Sequence, residues 1–389
     1  MGEILHKSEK YSYNVIIIHI PGFESEFDST ILILSQGDTM KAFVTGSTGL
    51  LGNNLVRALL DQGHEVKALA RSRRKAEELL GDTAAQIVVG DMDNVGAFAD
   101  ELAGSDVLFH GAAFFREYYQ PGDHWATLKR INVDAVIEIF EAAEARGVRR
   151  AIFVSSSGTV GVGPNGTPGD ETAPPPTIAD DNLYFRSKVL ADEAVAAWLP
   201  AHKLEVVSIL PGWMYGPYDA APTSSGQLVR DFLHRKLPAI IPGAGSVVDA
   251  RDVAQGMIAA VTHGRNGERY LIGGQSHTLA EIIGCLEEVS GVPAPRFYMP
   301  YPIALSAAWI AETAARLRNQ TTLMTINGIR TLQHNPGYNS SKAVAELGVT
   351  FRPLAETLRD EVAWYRSVEK SEASNPAPRP RHETVGEAA

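Results

Sequence analysis

Thr45-Gly46-Ser47-Thr48-Gly49-Leu50-Leu51-Gly52 decides the fold. The stretch follows a short apolar run at 41–45 and opens a segment, 50–62, whose apolar residues recur at helical spacing. A glycine pattern alone says little, but a strand before it and a helix after it are the context of a dinucleotide-binding turn. There Gly46 permits the tight turn, Gly49 lets a pyrophosphate approach the backbone, and Gly52 allows close helix–strand packing. The helix N-terminus, through Thr48, Leu50 and Leu51, offers amide donors and a partial positive charge.

Outward from this turn the chain alternates between short β-branched runs and amphipathic stretches. Strands are predicted at 41–45, 65–70, 86–89, 106–110, 151–155 and 205–210, and helices at 50–62, 125–146 and 187–198. Such alternation implies an α/β fold, a doubly wound parallel (Rossmann) sheet covered by helices on both faces. After residue 210 the text turns to Pro- and Gly-rich loops and then mostly helices (249–262, 278–289, 303–317, 354–366), with one further strand at 269–272. A smaller, mainly helical C-terminal substrate lobe is expected to close over the carboxyl edge of the sheet. The domain reading is an accessory extension at 1–39 (alternatively an extra edge strand), a dinucleotide-binding domain at 40–210, a substrate lobe at 211–370 with segments returning to the sheet, and a disordered tail at 371–389.

Composition narrows the function. In 389 residues, 44% are hydrophobic and 21% charged, enough to bury a sizeable core. The net charge of −11 leaves no broad basic surface for nucleic acid, so a small-molecule substrate becomes the default. A single cysteine, Cys285, excludes a disulfide framework and cysteine-based metal sites. Among the histidines, His64, His110 and His124 show no metal-ligand pairing on one helix, and no metal is expected. No apolar run reaches the length of about 18 residues of a membrane span, and the N-terminal run at 15–20 is short for a secretory signal; the expectation is a cytoplasmic protein without a membrane partner.

Cofactor choice is read about 20 residues beyond the glycine turn, where an acid would bind the ribose hydroxyls of NAD. Here the second strand runs into Arg71-Ser72-Arg73-Arg74, with no acid. Arg71 can clamp a phosphate, assisted by Ser72, Arg73 or Arg74, which favours NADP over the alternative, NAD. Asp91 and Met92 end the third strand beside the expected adenine. Ala112 and Ala113 end the fourth with side chains small enough for the cofactor to lie against backbone.

Tyr184 and Lys188 stand at i and i+4 on one helix face. A phenol with a pKa near 10 is a poor base at neutral pH, and an adjacent cation favours its phenolate. At the end of the fifth strand Ser155-Ser156-Ser157-Gly158-Thr159 places hydroxyls where they can bind a substrate oxygen.

With these elements assembled, the sequence from 40 to 367 resembles the extended short-chain dehydrogenase/reductase superfamily, nearest its dihydroflavonol reductase-like and NAD-dependent epimerase/dehydratase groups. The carriers are the glycine turn, the run from Ser155 to Val160, Tyr184 with Lys188, and Pro211-Gly212-Trp213-Met214-Tyr215-Gly216-Pro217. The resemblance implies that Tyr184 is the general acid/base and that Lys188 lowers its pKa and binds the nicotinamide ribose. It implies that Asn132 supports the active-site architecture and that Pro211, Gly212, Trp213 and Met214 lie beside the nicotinamide. The substrate-orienting serine is Ser156 by comparison with the reductases and Ser157 by comparison with the sugar epimerases. Extended members are often homodimers through two long helices, here 125–146 and 184–198.

Aromatic residues crowd the expected cleft: Phe114, Phe115, Tyr118 and Tyr119 after the fourth strand, and Trp213, Tyr215 and Tyr218 after the sixth. They suit an apolar or aromatic carbonyl compound. The alternative, a nucleotide-sugar epimerase or dehydratase, needs cations for a second diphosphate, for which Arg230, Arg235, Lys236 and Arg251 are candidates. A second alternative is a non-catalytic dinucleotide sensor, for which a tuned phenol would be superfluous.

Overall fold

The computed structural model describes residues 39–115, 124–318, 326–333 and 337–374. The strands are Lys41–Thr45 (β1), Glu65–Ala70 (β2), Gln86–Val89 (β3), Val107–His110 (β4), Arg150–Val154 (β5), Glu205–Pro211 (β6), Trp213–Tyr215 (β7), Ala244–Asp249 (β8), Arg269–Ile272 (β9) and Gln275–Thr278 (β10). The helices of the first half are Leu50–Asp61 (α1), Arg73–Leu80 (α2), Trp125–Lys129 (α3), Ala135–Ala145 (α4), Ile178–Asp181 (α5) and Leu183–Trp198 (α6). Those of the second are Ser224–Leu233 (α7), Ala250–His263 (α8), Leu279–Ser290 (α9), Tyr301–Arg318 (α10), Ile326–Gln333 (α11), Ser341–Leu347 (α12) and Leu354–Ser374 (α13).

Seven strands form one parallel sheet in the order β3-β2-β1-β4-β5-β6-β9. The order reverses between β1 and β4, and in open α/β sheets ligands bind outside the carboxyl ends of the strands at such a reversal. Successive strand residues point to opposite faces, so Val44 and Phe109 pack with Leu55, Leu59, Val253 and Met257 of α1 and α8. Phe43, Leu108 and Phe153 pack on the other face with Ile139, Phe140, Val195 and Trp198 of α4 and α6. Each such side chain contributes about 1.5–3 kcal/mol by leaving water.

The mainly helical C-terminal region also carries strands, because β10-β8-β7 form a second, three-stranded sheet. It packs with α7, α9 and α13 around Tyr215, Phe232, Ile282, Leu286 and Leu358. A further departure concerns the helix expected at 125–146, which is interrupted by a π turn over Arg130–Asp134. The fifth strand runs from Arg150 to Val154, Ser155 N still donates to Ile209 O of β6 at 2.8 Å, and Ser156 and Ser157 leave the sheet as a turn.

Candidate active site

The glycine turn lies at the reversal point. Gly46 has a φ of +71°, and a Cβ there would come within 2.8 Å of Gly111 and Ala112. The loops after β1 and β4 therefore meet backbone to backbone, which only glycine allows. Ser47 Oγ donates to Leu69 O at 2.8 Å and ties the turn to β2. The Thr45 hydroxyl accepts from Ala112 N at 3.1 Å and meets His110 Nδ1 at 2.8 Å. Burial, with Lys188 nearby, pushes His110 down to about 3, so its ring is neutral.

Helix α1 begins at Gly49 with no side chain capping it, and its first amides face the turn. A glycine-lined turn ending in an uncapped helix N-terminus fits a pyrophosphate by the chemistry of its donors. The side chains of Leu50, Leu51 and Met92 are buried in the core, so these residues can offer a cofactor only their backbone. At the end of β2, Arg71 is exposed, and Ser72 caps α2 by accepting from Lys75 N at 3.4 Å. Arg74 turns along the exposed face of α2 to Glu78. Asp91 is exposed and accepts from Asp93 N.

Asn182 caps α6 by accepting from Tyr184 N (3.1 Å) and Phe185 N (3.2 Å), which sets the half-buried Tyr184 in the first turn. One turn on, Lys188 is buried and its Nζ donates to Val154 O at 2.9 Å. Burial depresses Lys188 to about 8, against an opposing pull from Asp192. The serine turn lies under this helix. A Cβ on Gly158 would meet the Phe185 ring at 2.3 Å, so glycine lets α6 and the turn touch.

The two candidate serines differ in environment. Ser156 is half-buried and its Oγ accepts from Gly158 N at 3.1 Å, leaving its proton to donate. Ser157 is buried, and its hydroxyl faces the phenol of Tyr338, whose pKa burial raises. Asn132 sits in the π turn. Its Oδ1 accepts from Phe114 N at 2.7 Å, and its Nδ2 donates to Phe114 O (3.1 Å) and Ser187 Oγ (3.0 Å). Ser187 in turn donates to Tyr184 O at 2.7 Å. Asn132 thus bridges the loop after β4 to the helix that carries Tyr184 and Lys188.

Of the expected aromatic wall, the Phe115 ring lies tilted against that of Tyr184 with centroids 4.7 Å apart, and Phe114 is partly packed beside His124. Trp213 is half-buried, its ring 3.0 Å from a Cβ placed on Gly245. Tyr118 and Tyr119 lie outside the described residues. Tyr215 is a correction: it is fully buried in the core between β7, α7, α9 and α13, its phenol beside Glu361, because α13 closes over it. Tyr218 is held by Arg57 over its ring at 4.2 Å and by Trp364. Arg251 is engaged by Asp249 (2.9 and 2.7 Å) and Asp360 (2.6 Å), and these carboxylates raise its pKa further. Arg230 lies over the Tyr365 ring at 5.9 Å.

Sequence reasoning missed two features. Asp192, one turn beyond Lys188, is largely buried and pairs with Arg269 at 3.3 Å, while Arg269 also donates to Thr159 Oγ1 at 2.7 Å. The i+4 spacing from Lys188 was the available signal. Tyr338 reaches Ser157 from far along the chain, and no local pattern marks it.

A doubly wound parallel sheet with this glycine turn and a Tyr/Lys helix at its carboxyl edge defines an NAD(P)-dependent enzyme of the extended short-chain dehydrogenase/reductase class. The chain belongs to the NAD dependent epimerase/dehydratase family, whose family model matches residues 42–273. It is similar to a Synechocystis protein provisionally named dihydroflavonol 4-reductase, with 32% identity covering 84% of this chain and 94% of that one. It is likewise similar to sterol demethylase protein B of Methylococcus capsulatus, 33% identical over 84% of this chain and 98% of that one. Among solved structures, that of gox2253 superposes with a TM-score of 0.71 at 29% identity, covering 84% and 98% of the two chains.

Proposed function

We propose that the protein is an NADP-dependent reductase/dehydrogenase that interconverts a carbonyl and a secondary alcohol on an apolar, ring-containing small molecule. The observation that carries this reading is that the turn holding Ser156 meets the helix holding Tyr184 and Lys188, with Gly158 against the Phe185 ring and Lys188 Nζ donating to Val154 O. Tyr184 moves the proton at the substrate oxygen. Lys188, a buried cation one turn away, favours the phenolate and presents further ammonium donors toward a ribose. Ser156 donates to the same substrate oxygen and orients it, and Asn132 holds the helix and the Phe114 loop in register. The nicotinamide, when bound, supplies or accepts the hydride. Arg71 and Ser72 take the 2′-phosphate, which is the basis of the NADP preference.

The apolar substrate class is supported by Phe115 against Tyr184 and by relatives whose names refer to a dihydroflavonol and a sterol. Against a nucleotide-sugar reading stands Arg251, whose guanidinium is already matched by two carboxylates. Among the described residues no helix is long and apolar enough to cross a membrane, and we place the enzyme in the cytoplasm as a homodimer. The test is NADPH oxidation with a panel of apolar ketones and aromatic aldehydes. Tyr184→Phe is expected to keep NADPH affinity and lose at least about a hundredfold in kcat. Turnover by Tyr184→Phe as fast as the native enzyme, or a tenfold preference for NADH, refutes the respective assignment.

A further inference from the structure

The outer face of α10 is unlike an ordinary solvent-facing helix. Ile303, Ile310 and Leu317 follow one another at intervals of seven and lie nearly in line, with Trp309 beside them. They are 52%, 60%, 84% and (Trp309) 62% exposed. Pro302, Ser306 and Thr313 complete the face, and from 302 to 317 no exposed residue among the described side chains is charged. Both hydroxyls are turned back into the helix: Ser306 Oγ donates to Pro302 O at 3.0 Å and Thr313 Oγ1 to Trp309 O at 2.8 Å. The face therefore presents carbon to its surroundings even at its polar positions. Glu312 points away from this face and accepts from Ile326 N at 2.9 Å. On the opposite side Ala304 and Ala308 pack on Ile329 of α11.

Arg318 closes the stripe, and the segment leading into α10 carries Arg296, Phe297 and Tyr298, all exposed. In a chain of net charge −11, an acid-free apolar stripe that ends at Arg318 and follows Arg296 in sequence is complementary to phosphate headgroups around an apolar interior. Indole and phenol side chains favour that same boundary. A second copy of α10 is a poorer match, because pairing the stripe with itself brings arginine rims together in an antiparallel contact as in a parallel one.

We propose that α10 docks the enzyme on the surface of a lipid bilayer, lying in the interface with Ile303, Trp309, Ile310 and Leu317 entering the headgroup–acyl boundary. The helix lies on the surface and does not span it. Its packing partner α11 carries Leu332, which closes on Gly243 and Gly245 beside Trp213. The docked face is thus one helix removed from the cleft, an arrangement suited to a substrate that partitions into lipid.

The experiment is flotation of the full chain with vesicles of phosphatidylcholine containing about one fifth phosphatidylglycerol, with tryptophan emission as a second readout. The native protein is expected to float with the vesicles and shift its emission to the blue, and Trp309→Phe to lose most of that shift. Ile310→Glu is expected to lower the partition coefficient by about tenfold or more. The milder pair Ile303→Ser with Leu317→Ser should give a smaller loss of the same sign. All variants should bind NADPH as the native chain does, which shows that they fold. Absence of vesicle binding by the native chain overturns the proposal. So does binding that Ile310→Glu leaves unchanged, which places the contact on another segment. A native dimer that Ile310→Glu dissociates, with no vesicle binding by either protein, assigns the face to a second copy and also overturns it.

Discussion

Lys188→Met offers a test in which the chemistry and the stability of the site pull in opposite directions. The buried ammonium is depressed from 10.5 to about 8 by loss of hydration, and at 1.36 kcal/mol per pH unit this corresponds to about 3 kcal/mol by which the folded state disfavours the charged form. Methionine fills a similar volume without charge but forfeits the bond to Val154 O at 2.9 Å, about 1–3 kcal/mol for a charged donor. Near pH 7 the variant is therefore expected to be as stable as the native chain or more so, by up to about 2 kcal/mol, while its turnover collapses.

The pH dependence is the sharper readout. Below pH 8 both folded and unfolded Lys188 carry the proton, and the native chain bears the full cost. Between about 8 and 10.5 the folded chain releases it while the unfolded chain keeps it, so the unfolded state binds more protons and native stability rises with pH. Relative to Lys188→Met, the native chain should gain about 3 kcal/mol across that window. Urea denaturation without cofactor from pH 7 to 10.5, with both proteins also carrying Tyr184→Phe so that the phenol coupled to Lys188 does not contribute, measures this directly, since the remaining tyrosines and Cys285 titrate in both and cancel in the difference. A stability difference constant over the window, or a variant several kcal/mol weaker at pH 7, refutes the picture of Lys188 as a desolvated cation.

Asn132→Ala leaves Phe114 N without its 2.7 Å acceptor and uncouples that loop from α6; we expect a loss of about 1–3 kcal/mol in urea unfolding and a fall in kcat larger than any change in KM. Gly158→Ala drives a methyl into the Phe185 ring and should cost about 1–3 kcal/mol, partly recovered in thermal unfolding by adding Phe185→Leu. Glu361 accepts from Gly216 N at 3.0 Å but lies buried near Asp219 and Asp249, which holds its carboxyl well above the usual range. Stability present at low pH is therefore lost as pH rises above about 4.5 toward the folded value. Glu361→Gln should flatten this decline between pH 5 and 9 in thermal melts, and parallel curves for the two proteins would count against it.

The sheet was legible because its signals are local. Each strand is a short β-branched run bounded by turn residues, and the glycine turn announces both the element before it and the one after. The Tyr184–Lys188 spacing was legible for the same reason, as an i, i+4 pair on one helix. The break at Arg130–Asp134 was not, because a π turn leaves the apolar periodicity of 125–146 almost intact; what stabilises it is the set of tertiary bonds from Asn132 to Phe114 and Ser187. Nor was the three-stranded sheet of the C-terminal region, whose strands are three to six residues long and lie among Pro- and Gly-rich loops.

The misreading of Tyr215 shows where motif reasoning stops. Trp213 and Tyr215 are both aromatic, two residues apart in one motif, so both share the same face of β7, yet only Tyr215 is fully enclosed. What separates them is the chain that arrives later: α13 brings Glu361 over Tyr215 and the Gly216 amide, while at Trp213 the β8 backbone is stripped to glycine at Gly245 and leaves the ring at the rim. Arg251 follows the same logic, since Asp360, 109 residues away on α13, joins the neighbouring Asp249 in turning a candidate diphosphate clamp into a structural ion-pair cluster. In this region α13 therefore helps decide which side chains stay accessible. Substrate specificity should for that reason respond to substitutions on α13 that contact no ligand.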